Sequence, residues 1–537
     1  MGLISRSGDA RVVTVMAGFF ALYAAIGVRL LYLGWQPEPA AALPPVTQST
    51  ARPDIVDRNG TLLATDIKTF SMFAEPRRIL DADETLEGLA TVFPDMASDE
   101  IRAKLTSDKA FVWLRRQASP RQHNDVMNLG LPGIGFRPEI RRFYPSGPTS
   151  SYVVGLTNRD NRGIAGLEKY LDDQGLSDLQ ALGMNAPTRL EPVRLSIDLR
   201  VQHIVRDEAL RAMQAFQAIA AGAIVLNVKT GEVVAMASAP DFDPNDPVDA
   251  QAPDRINRMS AGLYEMGSTI KSFTTAMALD SGKVDLTSSF DARRPIVVGG
   301  QTIRDFRGKG RFLTTPEVFI YSSNIGSARE ADVVGVEGHR AFLKRMGLLD
   351  PLATELPETA RPTEPRSWKK VHSITAAFGH GFSTTPLHTA VGAAALMNGG
   401  RLIAPTFLPR TEAESAALAR QVVSERTSSD MRYLYNLNAT APAGSGKRGA
   451  TPGYRVGGKT GTAEKVVAGR YAKDRNFNAF VAAFPMEDPR YVVLTIVDEP
   501  KLPETGKAAT AGVSAAPMAA NIIRRSATML GVLPEGL

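Results

Sequence analysis

The chain has 537 residues, enough for two or three domains, and its 44% hydrophobic and 22% charged residues are typical of a folded protein. It contains no cysteine, which excludes disulfide frameworks, thiol nucleophiles and cysteine-ligated zinc. The net charge of +6 is small against 62 basic and 56 acidic residues, so nucleic acid is not an expected partner. The six histidines lack metal-ligand spacing, and we predict no metal and no other cofactor.

The N-terminal segment is apolar enough to cross a membrane. An uncharged run extends from Val12 to Val28, and after Arg29 the apolar residues continue to Trp35. A helix of this length can span the ~30 Å hydrocarbon core of a bilayer. We therefore predict a single transmembrane anchor over residues 12–35.

Basic residues set the orientation of this anchor. Arg6 and Arg11 precede it, and no further Lys or Arg occurs between it and Arg52. The positive-inside rule therefore places residues 1–11 in the cytoplasm and the remainder outside the inner membrane. A cleaved signal peptide, processed at the alanines at positions 40–42, is the alternative. Its apolar core would exceed the ~7–15 residues that are usual for such peptides, which favours a retained anchor.

Three regions follow the anchor. Residues 36–51 are rich in proline and alanine and are typical of a tether. Residues 52–190 combine short apolar runs with turn clusters, which predicts an N-terminal module of short strands and helices. Residues 191–530 begin with a helix that Asp198 can cap, followed by two β-rich runs that form a hairpin. We expect the catalytic chemistry in this last region.

The segment "GYRVGGKTGTAEK", residues 453–465, satisfies two motifs. Read from Gly453, it is the G-x-x-x-x-G-K-T loop that binds nucleotide phosphates, and read from Lys459 it is the K-T-G of serine acyltransferases. A phosphate loop joins a buried strand to a helix, but the residues before this segment are polar and those after it lack a helical period. The neighbouring β-like runs have short connections, as in an antiparallel meander, whereas nucleotide-binding sheets are parallel. The sequence therefore favours the acyltransferase.

Two further motifs precede this K-T-G in the order that the acyltransferase requires. Ser268 and Lys271 form an S-x-x-K at the start of a predicted helix, where the i,i+3 spacing brings the two side chains together. Ser322 and Asn324 form an S-x-N. A second S-x-x-K at 367–370 lacks the partner motifs and is better explained as a surface lysine cluster. The ordered set of three motifs is a strong signal, although each alone is weak.

The chemistry of acyl transfer gives each residue a role. Ser268 is the candidate nucleophile, and Lys271 in its neutral form is the candidate base. Lys459 could disfavour the ammonium form of Lys271 by its own charge, and Ser322 would relay protons between the two lysines. Asn324 would hold a substrate amide. No histidine is needed in this scheme.

The K-T-G strand would supply the remaining contacts. The backbone N–H groups of Ser268 and Thr462 are the candidate oxyanion donors. Gly461 has no side chain, so an extended peptide could pair with this strand. Lys459, Thr460 and Thr462 would bind its terminal carboxylate.

With these motifs the sequence resembles the class B penicillin-binding proteins, which are membrane-anchored peptidoglycan D,D-transpeptidases. The resemblance extends to "RPDIVDRNG" at 52–60 and to "GHGFSTTPL" at 379–387, and it is greatest for the division-specific members, the FtsI type. It implies an α+β penicillin-binding fold, an antiparallel sheet flanked by helices, with an elongated N-terminal pedestal. Two departures are Met266 and Ser272, which occupy positions where proline is usual.

The resemblance also implies a reaction and its partners. Ser268 would attack the penultimate D-alanine carbonyl of a nascent peptidoglycan stem peptide, and an amine of a neighbouring stem would resolve the acyl-enzyme into a crosslink. β-Lactam antibiotics would acylate the same serine. Further implied partners are a glycan polymerase of the SEDS family and other division proteins, at the septum and with the catalytic domain in the periplasm. An elongation-specific transpeptidase, a D,D-carboxypeptidase or β-lactamase, and a β-lactam sensor or non-catalytic scaffold are the alternatives.

Overall fold

The computed structural model describes residues 6–35, 52–176, 190–467 and 469–535. The predicted tether over 36–51, with the alternative processing site, lies outside the described residues. The chain divides into two compact units: Met1–Ser49 with Lys68–Ile140, and Thr50–Ile67 with Arg141–Leu537. The predicted module over 52–190 is thus divided between the units, and its treatment as one domain stays a prediction.

The first unit contains the N-terminal helix Arg6–Trp35. Its segment Val13–Tyr32 has a mean hydropathy of 1.8 and is not buried by other parts of the structure. Twenty helical residues are ~30 Å long, so the segment is long enough to cross a bilayer. Among the described residues it is the one helix with this length and composition, in agreement with the predicted anchor.

The rest of the first unit is a small α+β layer. The strand Val112–Ala118 pairs antiparallel with the end of the long strand Leu62–Ala74. The helices cover an apolar core that includes Met72, Leu89 and Phe93. These helices are Ala82–Val92, Asp99–Leu105 and Pro120–Asn128, and the strand Ile134–Phe143 follows them.

The second unit is built on a five-stranded antiparallel sheet, called the central sheet. The predicted hairpin and the predicted meander are both confirmed, and they join through the pairing of 220–227 with 491–498. An α+β fold with an antiparallel sheet is therefore confirmed. In spatial order the strands are Gly457–Val467, Arg470–Phe484, Tyr491–Asp498, Ala220–Asn227 and Val233–Ala239.

Helices cover both faces of the central sheet, so its inner strands are apolar throughout. Successive side chains of a strand point to opposite faces, and accordingly Phe480 and Ala482 pack with one apolar cluster while Ala479 and Val481 pack with the other. The first cluster includes the helices Leu199–Ala215 and Ala515–Ser526. The second includes Lys271–Asp280, Pro386–Met397 and Glu425–Thr440.

Shorter elements complete the second unit. Two small hairpins pair Ser289–Asp291 with Phe312–Thr314 and Ile296–Val298 with Gln301–Ile303. Further short pairs join 156–157 to 163–165 and 401–402 to 420–421. The remaining helices are Ser151–Val154, Gly166–Leu171, Thr315–Ile320, Asn324–Val334, Val336–Arg345, Lys370–Ala376 and Glu412–Leu418.

A buried ion-pair network fixes the start of the second unit. Glu168 accepts from Arg52 at 2.8 Å and from Arg142 at 2.6 Å, and the side chains of all three residues are at most 1% exposed. Arg52 also pairs with Asp172 at 2.6 Å, and Arg142 pairs with Asp66 at 3.1 Å. Charges this deeply buried are tolerated only when their partners are present.

Removing the central carboxylate should therefore destabilise the second unit. We expect Glu168→Ala to lower the free energy of unfolding by about 3–5 kcal/mol, because it leaves two guanidinium groups buried without their shared partner. The measurement is urea unfolding of the detergent-solubilised chain. Glu100→Ala, which breaks an exposed ion pair with Lys104, is the control and should leave the urea concentration at the midpoint of unfolding unchanged. Equal midpoints for both variants would contradict a stabilising role for the network.

Candidate active site

Ser268 lies on a tight turn that leads into a buried helix. A 3-10 turn, Gly267–Thr269, is followed by the helix Lys271–Asp280. Gly267 has a φ of +53°, a conformation that side chains other than glycine rarely adopt, and this allows the chain to turn sharply before the serine. Ser268 remains partly accessible, whereas Lys271 is 1% exposed.

The Lys271 amine reaches from this helix to the S-x-N turn. Its Nζ donates to the Ser322 carbonyl at 2.6 Å, to Asn324 Oδ1 at 2.7 Å and to Ser322 Oγ at 3.2 Å. Three oxygens therefore hold the amine in place. The first two predicted motifs are thus in direct contact.

The S-x-N turn has a strained backbone. Ser322 has a φ of +55°, which costs of order 1–3 kcal/mol for a residue with a side chain and is found mainly at functional sites. Asp305 supports the turn by accepting from Ser323 Oγ at 2.8 Å and from the Ile325 N–H at 2.9 Å. Asn324 Nδ2 donates to the Arg304 carbonyl at 3.0 Å, so that its Oδ1 points to Lys271.

Lys459 reaches the same hydroxyl from the central sheet. Its Nζ donates to Ser322 Oγ at 2.9 Å and to the Thr460 carbonyl at 3.2 Å, and the residue is 0% exposed. Ser322 Oγ thus lies within hydrogen-bonding distance of both amines. The segment around Lys459 is the strand Gly457–Val467, and it continues into a hairpin instead of the helix that a phosphate loop requires.

The K-T-G strand packs directly against the Ser268 turn. A Cβ at Gly461 would lie 2.6 Å from the Met266 carbonyl oxygen and 2.9 Å from the Thr269 nitrogen, so only glycine allows this approach. Thr460 and Thr462 are partly exposed on this strand, and Thr462 Oγ1 accepts from the Ala511 N–H at 3.0 Å.

The structure brings all eight predicted site residues together. The S-x-x-K turn contacts the K-T-G strand through its backbone and the S-x-N turn through Lys271.

Sequence reasoning gave Gly379 no role of its own, yet its φ is +87° and a Cβ there would lie 2.0 Å from the Gly267 carbonyl oxygen. Ser272 accepts from the Tyr435 hydroxyl at 2.8 Å, so the position where proline is usual is occupied by a bonded polar group.

Burial controls the protonation of the two lysines. It lowers the pKa of Lys271 to about 7, against the opposing influence of the negative charges of Asp305 and Glu330. Burial, and then the positive charge of Lys271, holds the pKa of Lys459 well below its usual value. Two buried amines this close to one hydroxyl disfavour a state in which both are charged. A neutral lysine amine is thus accessible near neutral pH.

Glu330 is a further titratable group that the sequence motifs did not identify. It lies in the helix Asn324–Val334, is fully buried, and accepts from Thr275 Oγ1 at 3.0 Å. Burial raises its pKa to about 8, and it interacts electrostatically with Lys271. The available signal was that the residues three and four positions away on the same helix carry no charge: Gly326, Ser327, Val333 and Val334.

Two protein families match the chain. Residues 221–524 match the penicillin-binding protein transpeptidase domain, and residues 47–183 match the penicillin-binding protein dimerisation domain. The first match covers more than half of the chain and contains all three motifs. The chain belongs to the penicillin-binding protein transpeptidases.

Relatives of this penicillin-binding protein come from several bacterial groups. It is 39% identical over 495 residues to the probable peptidoglycan D,D-transpeptidase FtsI of Caulobacter vibrioides, covering 90% of this chain and 82% of the relative. It is 32% identical over 520 residues to the stage V sporulation protein D of Bacillus subtilis, covering 90% and 79%. It is 29% identical over 483 residues to the peptidoglycan D,D-transpeptidase FtsI of Escherichia coli K12, covering 84% and 80%.

The protonation of Lys271 should govern the pH dependence of acylation. Since the amine acts as a base only when neutral, we expect the second-order rate constant for labelling by a fluorescent penicillin to rise with pH through about 7 and then to level off. Lys271→Arg is the control, because its guanidinium does not titrate in this range and should remove the rise together with most activity. A rate constant of the wild type that is independent of pH would contradict the role of Lys271.

The close approach at Gly461 should be intolerant of any side chain. We expect Gly461→Ala to slow penicillin acylation by at least about tenfold, because the added Cβ pushes the strand away from the turn that carries the nucleophile. Gly308→Ala is the matched control, since its Cβ would meet its nearest neighbour, Asp305 Cβ, at an ordinary 3.8 Å. Equal rates in the two variants would show that this contact is not required.

Proposed function

We propose that this chain is the D,D-transpeptidase that crosslinks peptidoglycan stem peptides at the division septum through an acyl-enzyme on Ser268. The observation that carries the proposal is the position of Ser322 Oγ, within hydrogen-bonding distance of both Lys271 and Lys459, beside the Ser268 turn. A serine without a histidine base can be deprotonated by a neutral amine, and burial favours the neutral form of Lys271 here.

Acylation begins when neutral Lys271 takes the proton of the Ser268 hydroxyl. The serine oxygen then forms a bond to the penultimate D-alanine carbonyl, and the N–H groups of Ser268 and Thr462 are the donors we assign to the developing oxyanion. Collapse breaks the peptide bond, and terminal D-alanine leaves after its amine receives a proton through Ser322 and Lys459. With a β-lactam, the serine opens the ring and the proton goes to the ring nitrogen, which stays attached.

The donor peptide is proposed to pair with the edge strand that carries Gly461. Lys459 is fully buried behind Ser322, so we assign contact with the terminal carboxylate to the partly exposed Thr460 and Thr462, with Lys459 as a nearby charge. The Nδ2 group of Asn324 has a second N–H beyond the one bound to Arg304, and we assign it to a substrate carbonyl.

Deacylation completes the crosslink. An amine of a neighbouring stem peptide gives up a proton to the same pair of lysines and attacks the acyl-enzyme carbonyl. The Ser268 ester breaks, and the serine recovers its proton. The products are a new amide between two stems and the free enzyme.

Membrane attachment and partners form part of this proposal. The segment Val13–Tyr32 would anchor the chain in the inner membrane, with the basic N-terminal tail in the cytoplasm and the catalytic unit in the periplasm. A glycan polymerase of the SEDS family and other division proteins would work beside it. Recruitment of a tagged copy to the septum of dividing cells tests the division role, and recruitment to the lateral wall would favour elongation instead.

Substitution of the nucleophile is the direct test of the acyl-enzyme. Wild-type chain should gain one penicillin adduct on the peptide containing Ser268, and Ser268→Ala should lose this labelling entirely because no other group can form the ester. Mass spectrometry of the digested protein locates the adduct, and circular dichroism of the variant checks its fold.

Product analysis separates the alternatives. Crosslinked dimers from stem-peptide substrate support the transpeptidase. Stable labelling without crosslinked product would indicate a sensor or scaffold. Rapid release of hydrolysed substrate without a detectable acyl-enzyme would indicate a carboxypeptidase or β-lactamase.

A further inference from the structure

A strongly basic loop projects from the S-x-N side of the site. Residues 293–311, called the basic loop, connect two paired strands and contain the small hairpin Ile296–Val298 and Gln301–Ile303. The loop contains six basic residues and one acidic residue, whereas the whole chain has a net charge of only +6. Much of the excess positive charge of the protein is therefore concentrated on this loop.

Few of these charges are neutralised within the protein. Arg293 pairs with Asp291 at 2.9 Å, and Arg311 pairs with Glu317 at 2.6 Å. The one acidic residue, Asp305, is engaged in holding the S-x-N turn. In the part of the chain that the structure describes, the remaining four cations have no carboxylate within 4.0 Å, and all four are exposed: Arg294, Arg304, Arg307 and Lys309.

Apolar side chains stand among the unpaired cations. Phe306 is 88% exposed, Val297 is 73% exposed and Phe312 is 47% exposed. The Lys309 amine lies 4.6 Å from the centre of the Tyr321 ring, next to Ser322 in the chain. A surface that combines free cations with exposed aromatic rings is suited to an extended ligand with both carboxylates and apolar groups.

The basic loop is joined to the catalytic residues by direct hydrogen bonds. The Arg304 carbonyl accepts from Asn324, and Asp305 caps the helix that Asn324 begins. The K-T-G strand, to which we assign the donor peptide, instead contacts the turn at 266–269. A second peptide that approaches the acyl-enzyme from the S-x-N side would therefore meet the basic loop.

We propose that the basic loop binds the acceptor peptide strand through its carboxylates and so guides its amine to the acyl-enzyme. This inference rests on the proposed function, since an acceptor exists only for a transferase. It assigns a separate surface to the second substrate, an anionic peptide. Unpaired cations would attract it at low salt and lose affinity as the salt concentration rises.

A binding experiment on the full-length chain in detergent tests this directly. The probe is a synthetic stem peptide with free carboxylates and a neutral fluorophore, followed by fluorescence anisotropy in the Ser268→Ala background, where no turnover occurs. The loop variant carries three substitutions: Arg294→Gln, Arg307→Gln and Lys309→Gln. We expect it to bind the peptide roughly tenfold more weakly than the parent, because three exposed charge contacts are lost. The matched control removes three other exposed cations of the same unit: Arg426→Gln, Lys447→Gln and Arg448→Gln.

The outcomes separate the proposal from its rivals. Weaker binding in the loop variant alone, abolished when the peptide carboxylates are amidated, supports the proposal. Equal affinities in the two triple variants overturn it. The proposal is also overturned if the loop variant loses binding to phosphatidylglycerol vesicles but keeps its affinity for the peptide, since the ligand of the loop would then be a lipid surface.

A transfer assay links the loop to catalysis. With serine-competent protein, the ratio of aminolysis to hydrolysis should fall roughly tenfold in the loop variant for the carboxylated acceptor and stay unchanged for a small uncharged amine. Penicillin labelling of Ser268 in the wild type is measured separately. If no labelling occurs, the proposed function is wrong. If labelling occurs but both triple variants have the same ratio of aminolysis to hydrolysis, only the role of the basic loop is wrong.

Discussion

The active site depends on one hydroxyl group shared by two buried amines. Ser322 Oγ is 3.2 Å from Lys271 Nζ and 2.9 Å from Lys459 Nζ, and neither lysine has more than 1% of its surface exposed. Water cannot screen two ammonium groups in such a place, so removal from solvent disfavours the doubly charged state. The fold thereby obtains a base of nearly neutral pKa without a histidine. The Asp305 and Glu330 carboxyls oppose this effect when they are ionised, since a negative charge favours a proton on Lys271.

Three parts of the chain have to hold this arrangement, and each does so by a different physical means. The Ser268 turn is held by close backbone packing at Gly267, Gly379 and Gly461, where a side chain would not fit. The S-x-N turn is held in a strained conformation by hydrogen bonds that it donates to Asp305 and accepts from Lys271. The K-T-G strand is held by the central sheet. The reactive centre is thus defined by close backbone packing, by hydrogen bonds and by strand pairing.

Local sequence patterns predicted the parts of the structure that local rules determine. The meander followed from β-like runs with short connections, and the hairpin at the start of the last region followed from two β-rich runs. The interaction of Glu330 with Thr275 joins residues 55 positions apart, and that of Arg52 with Glu168 joins residues 116 apart. Periodicity carries no information about such contacts. The left-handed conformation of Ser322 was equally hidden, because serine rarely adopts it and the surrounding structure imposes it.

The position of the K-T-G strand at the edge of the central sheet has a consequence for self-association. Among the described residues, the strand Gly457–Val467 is the first in the sheet order and has one paired neighbour, so its other side presents backbone groups to an extended chain. Open β-edges promote aggregation because they can pair with a second protein copy. The Ser268 turn lies against this strand at Gly461, so a chain that pairs with the edge would lie close to the serine. The open backbone that makes the edge prone to self-association is thus the same feature that would let a short peptide reach Ser268.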